Sequence, residues 1–136
     1  MTALTKNRNT VTRSGDFVVL PVAATKTIYA GSLVALDAAG NATPGATATT
    51  LKGLGRAEEH VDNANGAAGE KFVKIRTGIF PYANSADADE VTRAAIKSDC
   101  YIVDDQTVAK TDGTGSRSVA GQVFDVDEHG VWVKFS

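Results

Sequence analysis

The chain has 136 residues, of which 43% are hydrophobic, and a formal net charge of −2. This length fits one ordinary soluble domain, and the slightly acidic balance argues against a nucleic-acid binder, which is normally basic. The single cysteine, Cys100, excludes an internal disulfide and favours assembly in a reducing compartment. The sequence has no apolar run long enough for a membrane helix, no signal peptide and no lipidation motif, so we expect a soluble intracellular chain with no membrane partner.

The N-terminal segment differs in composition from the rest of the chain. Residues 1–14 are polar and glycine-free, and they contain Lys6, Arg8 and Arg13 but no acidic residue. A segment of this composition cannot bury enough apolar surface to order itself. We therefore predict a flexible N-terminal arm over residues 1–14 and a single β-rich domain over residues 15–136.

The first half of the domain reads as short strands separated by turns. Phe17–Val22 is the first apolar run, and Pro21, which has no amide proton, indicates a sheet edge or a strand end. Ile28–Asp37 forms the next strand region, with an interruption at its glycine, and residues 38–41 supply a turn. Residues 42–50 are small and apolar-poor, which predicts a loop or a weak surface strand.

A long hairpin is predicted in the middle of the chain. Gly53–Val61 is a strand candidate, residues 62–69 contain an Asn-Gly pair typical of a tight turn, and Gly69–Tyr82 is the returning strand.

The returning strand alternates between two kinds of side chain. Val73 and Ile75 fall on one face, and a break follows at Gly78. The opposite face carries Phe72, Lys74 and Arg76. This pattern predicts a half-buried strand that presents cations and an aromatic ring to a partner.

One helix is predicted, over Ser85–Lys97. Ser85 is a suitable N-cap, and Asp87, Asp89 and Glu90 would lie in the first turn, where the helix dipole favours anions. An apolar stripe would face the domain. A helix this short needs tertiary packing to persist.

The C-terminal part continues the β pattern. Cys100–Val103 is a short strand, and Val119–Asp127 with Val131–Phe135 form a closing hairpin whose loop contains Gly130. The fold class that follows is mainly β, a small β-sandwich or barrel of about seven to nine short strands with one short helix and an extended N-terminal arm.

Three places in the sequence could in principle carry a metal site or a catalytic centre. Asp125, Asp127 and His129 would share one face of an unbroken strand, but the predicted turn at His129 breaks the alternation and favours solvated side chains. His60 beside two glutamates could be a general base with an orienting carboxylate, but the pattern favours a charged strand face exposed to water. Cys100 lacks nearby positive charge to lower its pKa, which favours a small buried residue over a nucleophile. No catalytic, cofactor-binding or metal-ligating residue is assigned.

The basic stripe of Lys71, Lys74 and Arg76 with Phe72 could neutralise and stack on a single nucleic-acid strand. The negative net charge of the chain favours a protein surface that is acidic at the contact instead. We therefore expect a protein partner and no nucleic acid.

The order of segments resembles the small decoration, or cement, proteins of tailed-bacteriophage capsids. The resemblance lies in an extended polar N-terminus, then AGSLVALDAAGNATP, then GLGRAEEHVDNANGAAGEKFVKIRTGIFPYAN, followed by a helix and a closing β-hairpin. It covers most of residues 17–135.

The resemblance implies a non-enzymatic head-stabilising protein. Such proteins bind the outer surface of the assembled head, hold neighbouring major capsid protein subunits together and often act as dimers or trimers. It implies a location on the capsid exterior of the virion, with assembly in the host cytoplasm. The family has no catalytic residues to carry over. The expected partner-binding residues come from the reasoning above: Lys6, Arg8, Arg13, Phe72, Lys74 and Arg76.

Two other readings remain open at the level of sequence. A virion or cell-surface module that recognises carbohydrate could use aromatic residues as a stacking platform: Tyr29, Tyr82, Tyr101 and Trp132. A small β-barrel hydrolase could use His60 or His129.

Overall fold

In a computed structural model of the protein, the described residues are 2–11, 13 and 15–136. They form twelve β-strands and two single-turn 3-10 helices. The strands are β1 (Phe17–Pro21), β2 (Lys26–Ile28), β3 (Leu33–Leu36), β4 (Ala42–Pro44), β5 (Lys52–Ala57), β6 (Val61–Asn63), β7 (Phe72–Arg76), β8 (Gly78–Tyr82), β9 (Asp99–Ile102), β10 (Val108–Ala109), β11 (Val119–Asp127) and β12 (Gly130–Phe135).

These strands form two five-stranded sheets and a ribbon. Sheet 1 has the order β1-β7-β5-β3-β4, sheet 2 has the order β10-β9-β11-β12-β8, and β2 pairs with β6 alone. Both large sheets are open at their edges, so the fold is a sandwich and not a closed barrel. The predicted mainly β class is confirmed. The predicted number of strands was too low, because several expected strands are divided by bends into two short ones.

Sheet 1 is buried on both faces near its middle. Leu33 and Ala35 belong to the larger apolar cluster, which they share with residues of sheet 2 such as Val123 and Val133. Val34, between them in the chain, belongs to a second cluster with Val73 and other residues on the opposite face. Because side chains alternate along a strand, three consecutive residues of β3 contribute to two cores.

The two sheets approach most closely where glycine replaces a side chain. A Cβ atom at Gly53 in β5 would lie well inside van der Waals contact with the carbonyl oxygen of Ala120 in β11. Glycine at this position therefore lets two backbones pack directly on each other, which sets the spacing between sheets at this point.

The predicted edge strand is present, and the predicted hairpin is present in modified form. β1 is an edge strand of sheet 1, with Pro21 as its last residue, as the proline predicted. β5 does lie beside β7 in antiparallel orientation, but only through two residue pairs. The chain bends after Ala57, and β6 pairs with β2 instead of continuing the hairpin.

The helix predicted over Ser85–Lys97 is wrong. The structure has separate 3-10 turns at Asp87–Asp89 and Arg93–Ala95. Between them, Val91 is buried, and the Asn84 side chain both accepts a hydrogen bond from its amide and donates one to its carbonyl, each at 2.8 Å. The backbone of Val91 is thus satisfied by a side chain and not by helical neighbours, which interrupts the helix.

Two further expectations changed. Ser85 caps no helix, since its hydroxyl donates to the carbonyl of Val108 at 2.8 Å. Within residues 42–50, expected at the surface, Ala42 is fully buried and begins β4. Among the described residues, no helix is long and apolar enough to cross a membrane.

Candidate partner-binding surface

One face of sheet 1 is buried in the core at one end of a row of paired residues and exposed to solvent at the other end. The row runs across four neighbouring strands in direct register: Leu33 of β3, Arg56 of β5, Arg76 of β7 and Phe17 of β1. Leu33 is fully buried, whereas Phe17 is exposed. Residues in register share a face, so the face that carries the core at β3 is open at β1 and β7.

The open part of this face is apolar at its outer end. Phe17 is 37% exposed, Val19 is 51% exposed and Phe72 is 55% exposed. All three lie on the same side, because Phe17 pairs with Arg76, Val19 with Lys74 and Pro21 with Phe72. We call the set Phe17, Val19, Phe72, Lys74 and Arg76 the β1–β7 surface. A contiguous exposed apolar patch of this kind is typical of an interaction site.

The β1–β7 surface ends in a strand edge with free backbone groups. The carbonyl of Asp16 accepts from the amide of Thr77, and the amide of Val22 donates to the carbonyl of Lys71. Hydrogen-bonded residues alternate in an antiparallel ladder, so the backbone groups of Phe17 and Val19 point away from β7. In the described part of the chain no strand pairs with that side of β1, and β1 has none of the charged side chains that usually protect an edge.

The predicted cations of this surface already have partners within the domain. The Lys74 ammonium lies 4.3 Å from the centroid of the Phe17 ring. Arg76 donates to Glu58 at 2.6 Å, and Arg56 donates to the same carboxylate oxygen at 3.0 Å. The Arg56 hydrogen bond is the strongest influence that holds the pKa of Glu58 below its usual range, and Arg76 adds to it. The side chains of these cations are therefore already held by contacts within the domain, and they offer little unpaired charge to a partner.

Exposed positive charge also lies on the arm. Lys6, Arg8 and Arg13 are exposed and form no ion pair with another described residue. Leu4 and Val11 are also largely exposed. The predicted arm also includes Met1, Thr12 and Ser14, which lie outside the described residues. Because the arm leads directly into β1, its charges and the β1–β7 surface are adjacent along the chain.

The structure therefore brings together Phe72, Lys74 and Arg76, as the alternation of β7 predicted. It adds Phe17 and Val19, which belong to the first apolar run of the sequence. No alternation marks them as outward-facing, because all five residues of β1 are apolar; their pairing with β7 decides which side they face.

The candidate catalytic residues occupy ordinary structural positions. Cys100 is fully buried, and burial raises the pKa of its thiol to about 12. Glu58 is committed to the two arginines, and Glu59 accepts a hydrogen bond from the amide of Lys74 at 3.2 Å. His60 stacks on Tyr29, with ring centroids 5.2 Å apart, so neither glutamate orients it in the way the base hypothesis required.

The hairpin loop brings together only two of the three candidate metal residues, Asp127 and His129. Ligand atoms of Asp127, Glu128 and His129 lie within 4.8 Å of one another, and all three residues are exposed. Asp125 is not in this group. The carboxylate of Asp127 also accepts from the amide of His129 at 2.8 Å, which is ordinary turn chemistry.

The four aromatic residues considered as a stacking platform do not act together. Tyr82 is 5% exposed and packs edge-on against Phe135 in the core. Trp132 is half-buried and meets His129. Tyr29 is by contrast 59% exposed, and its ring stacks on His60 and not on another of these aromatic residues.

Comparison with known proteins gives no match to a family model, to a curated protein or to a solved structure. What the β1–β7 surface binds is therefore inferred from its own chemistry and from the motifs described above.

Proposed function

We propose that this chain is a bacteriophage capsid decoration protein that binds the outside of the assembled head and links neighbouring subunits of the major capsid protein. The observation that carries the proposal is the half-covered face of sheet 1. Its β3 end is core, its β1–β7 end is open and apolar, and a basic arm continues from the open edge.

The β1–β7 surface supplies the apolar part of the contact. Burying a large apolar side chain stabilises a contact by about 1.5–3 kcal/mol, and Phe17, Val19 and Phe72 are available for this. The coat-protein surface opposite them would be apolar at its centre and would leave the Lys74–Phe17 contact in place.

The arm supplies the charged part of the contact. A segment that orders only when it binds loses conformational entropy in doing so, but it can wrap around a large surface. Lys6, Arg8 and Arg13 would pair with acidic groups on a neighbouring coat subunit. Together the two contacts join subunits on either side of a capsid boundary.

Repetition on the lattice makes modest contacts sufficient. If the protein acts as a dimer or trimer, each assembly engages several coat subunits at once, and the effective concentration of the second contact is high. On this proposal the protein acts on the capsid exterior, is assembled in the host cytoplasm, and needs neither catalytic residues nor a cofactor.

Cosedimentation with phage heads tests this function. The heads would be assembled from the coat protein encoded in the same genome and compared with free coat subunits. We expect saturable binding to assembled heads, weak binding to free subunits and heads that resist higher temperatures. Heads with the same heat resistance with and without the protein would contradict the proposal.

Deletion of residues 1–14 separates the arm from the domain. We expect weaker binding to heads, because the free cations are lost. The unfolding temperature of the isolated protein should stay nearly unchanged, since the described arm residues are exposed. Full retention of head binding by the shortened protein would remove the arm from the proposal.

A further inference from the structure

A surface cavity lies at the turn between β2 and β3, away from the β1–β7 surface. Its volume is about 410 Å³, and its lining residues come from two segments: Tyr29, Ala30, Gly31 and Ser32 from the turn, and Asp105 and Gln106 from the loop before β10. This volume falls within the range of about 300–1,000 Å³ that is common for small-molecule sites.

Tyr29 provides an exposed aromatic surface held in one orientation. Its ring stacks on the imidazole of His60 with an angle of 7° between the two planes. His60 does not line the cavity, so the imidazole supports one face of the ring and leaves the remainder available to a ligand. An exposed tyrosine fixed in this way loses little conformational entropy when it binds.

The polar groups of the cavity lack partners within the protein. The carboxylate of half-buried Asp105 and the side-chain amide of Gln106 make no hydrogen bond or ion pair with a described residue. Ser32 is 6% exposed, and its hydroxyl has no hydrogen-bond partner. Buried polar groups are normally satisfied, and Ser32 is the buried side chain among the three. Gln106 is exposed and Asp105 is half-buried, so their donors and acceptors are open to a polar ligand that enters the cavity.

Backbone hydrogen bonds fix the two sides of the cavity relative to each other. The amide of Leu33, directly after Ser32, donates to the carbonyl of Asp105 at 2.8 Å. On the other side, Gly31 donates to the carbonyl of Ala57 at 2.8 Å, and Ala57 donates back to the carbonyl of Ser32 at 3.0 Å. The cavity is thus formed before a ligand arrives, which lowers the cost of binding.

We infer that this cavity binds a neutral hexose unit of a glycan. The apolar face of a pyranose ring would stack on Tyr29, and its hydroxyl groups would donate to the Asp105 carboxylate and exchange hydrogen bonds with the exposed side chain of Gln106. The negative charge of Asp105 selects against sialic acids and other acidic sugars. This inference does not depend on the proposed capsid function, since the cavity and the β1–β7 surface share no residue.

A glycan array probed with the full-length protein tests the assignment. We expect binding to glycans with an exposed neutral hexose and none to their sialylated counterparts. Titration with the best monosaccharide, followed by calorimetry, should then show at least about tenfold weaker binding for Tyr29→Ala. Asp105→Asn should also weaken binding, whereas Tyr29→Phe should keep it because the ring is retained.

Matched variants keep the test specific. Phe124→Ala removes another exposed aromatic residue, 54% exposed, and Asp112→Asn changes an exposed carboxylate elsewhere; both should bind sugar as the unchanged protein does. An array without hits, or equal sugar binding by Tyr29→Ala with an unchanged fold by circular dichroism, would overturn the assignment. Loss of head binding in Tyr29→Ala would also overturn it, by assigning the cavity to a protein contact.

Discussion

The guanidinium of Arg56 lies 4.3 Å from the centroid of the Phe80 ring, and this contact joins β5 of sheet 1 to β8, the edge strand of sheet 2. Arg56 stands in register between buried Leu33 and half-exposed Arg76. The contact therefore lies at the boundary between the covered and the open parts of the sheet face. Beyond it, no second sheet of the described residues packs against the β1–β7 surface.

The shared carboxylate at this boundary predicts a pH-dependent contribution to stability. The pKa of Glu58 is lowered from 4.5 in the folded protein. The charged carboxylate therefore stabilises the fold at pH values above 4.5, the pKa of the unfolded state. This stabilisation is lost as the pH falls below 4.5 and through the lower pKa of the folded state. Glu58→Gln should lower the free energy of unfolding at pH 7 by up to about 1 kcal/mol, because the arginines are partly exposed. Unfolding in urea at several pH values measures this.

Glu90→Gln is the matched control, since Glu90 is exposed and its carboxylate has no partner among the described residues. Its unfolding free energy should follow that of the unchanged protein at each pH. A deficit in Glu58→Gln that persisted unchanged in strong acid would contradict the role given to this carboxylate.

Because the two sheets approach closely at Gly53, we expect one added methyl group at this position to destabilise the fold. Gly53→Ala places a Cβ against the Ala120 carbonyl and must push β5 away from β11, at a cost of about 1–3 kcal/mol. Gly15→Ala adds the same methyl group where no atom lies within 4 Å, so its effect should stay within about 0.5 kcal/mol. Equal thermal unfolding of the two variants would show that the sheets are not in contact at Gly53.

The buried thiol predicts a protein that resists alkylation. Cys100 is fully buried, and burial raises the pKa of its thiol to about 12, so little reactive thiolate forms near neutral pH. Iodoacetamide should modify the unfolded chain readily in denaturant and the native protein very slowly. Mass spectrometry after timed exposure gives both rates. Similar rates in the two states would contradict the burial of β9.

The sequence was most informative where the pattern is local. The alternation in Phe72–Arg76 needs only the two-residue period of a strand, and Val73 and Ile75 are buried as it predicted. The helix over Ser85–Lys97 failed because Asn84, outside the predicted span, binds both backbone groups of Val91. No propensity within the span contains that information.

The surfaces themselves could not be predicted in full. Whether Phe17 is core or exposed depends on how far sheet 2 extends over sheet 1, which is decided by contacts such as Arg56 with Phe80. The pairing of Tyr29 with His60 joins residues 31 positions apart, and nothing in either local sequence indicates it. The strand and turn patterns predicted a mainly β domain, and tertiary packing decides which of its faces is left open.

Binding of two phenylalanine variants to assembled heads tests the central claim most directly. Phe72 and Phe124 are 55% and 54% exposed, but only Phe72 lies on the β1–β7 surface, so Phe72→Asp and Phe124→Asp make the same change in and outside the proposed contact. Cosedimentation with heads over a range of concentrations should show binding weakened at least about tenfold by Phe72→Asp and unchanged by Phe124→Asp. Equal binding by both variants, with their folds intact by circular dichroism, would contradict the claim that this surface holds the capsid.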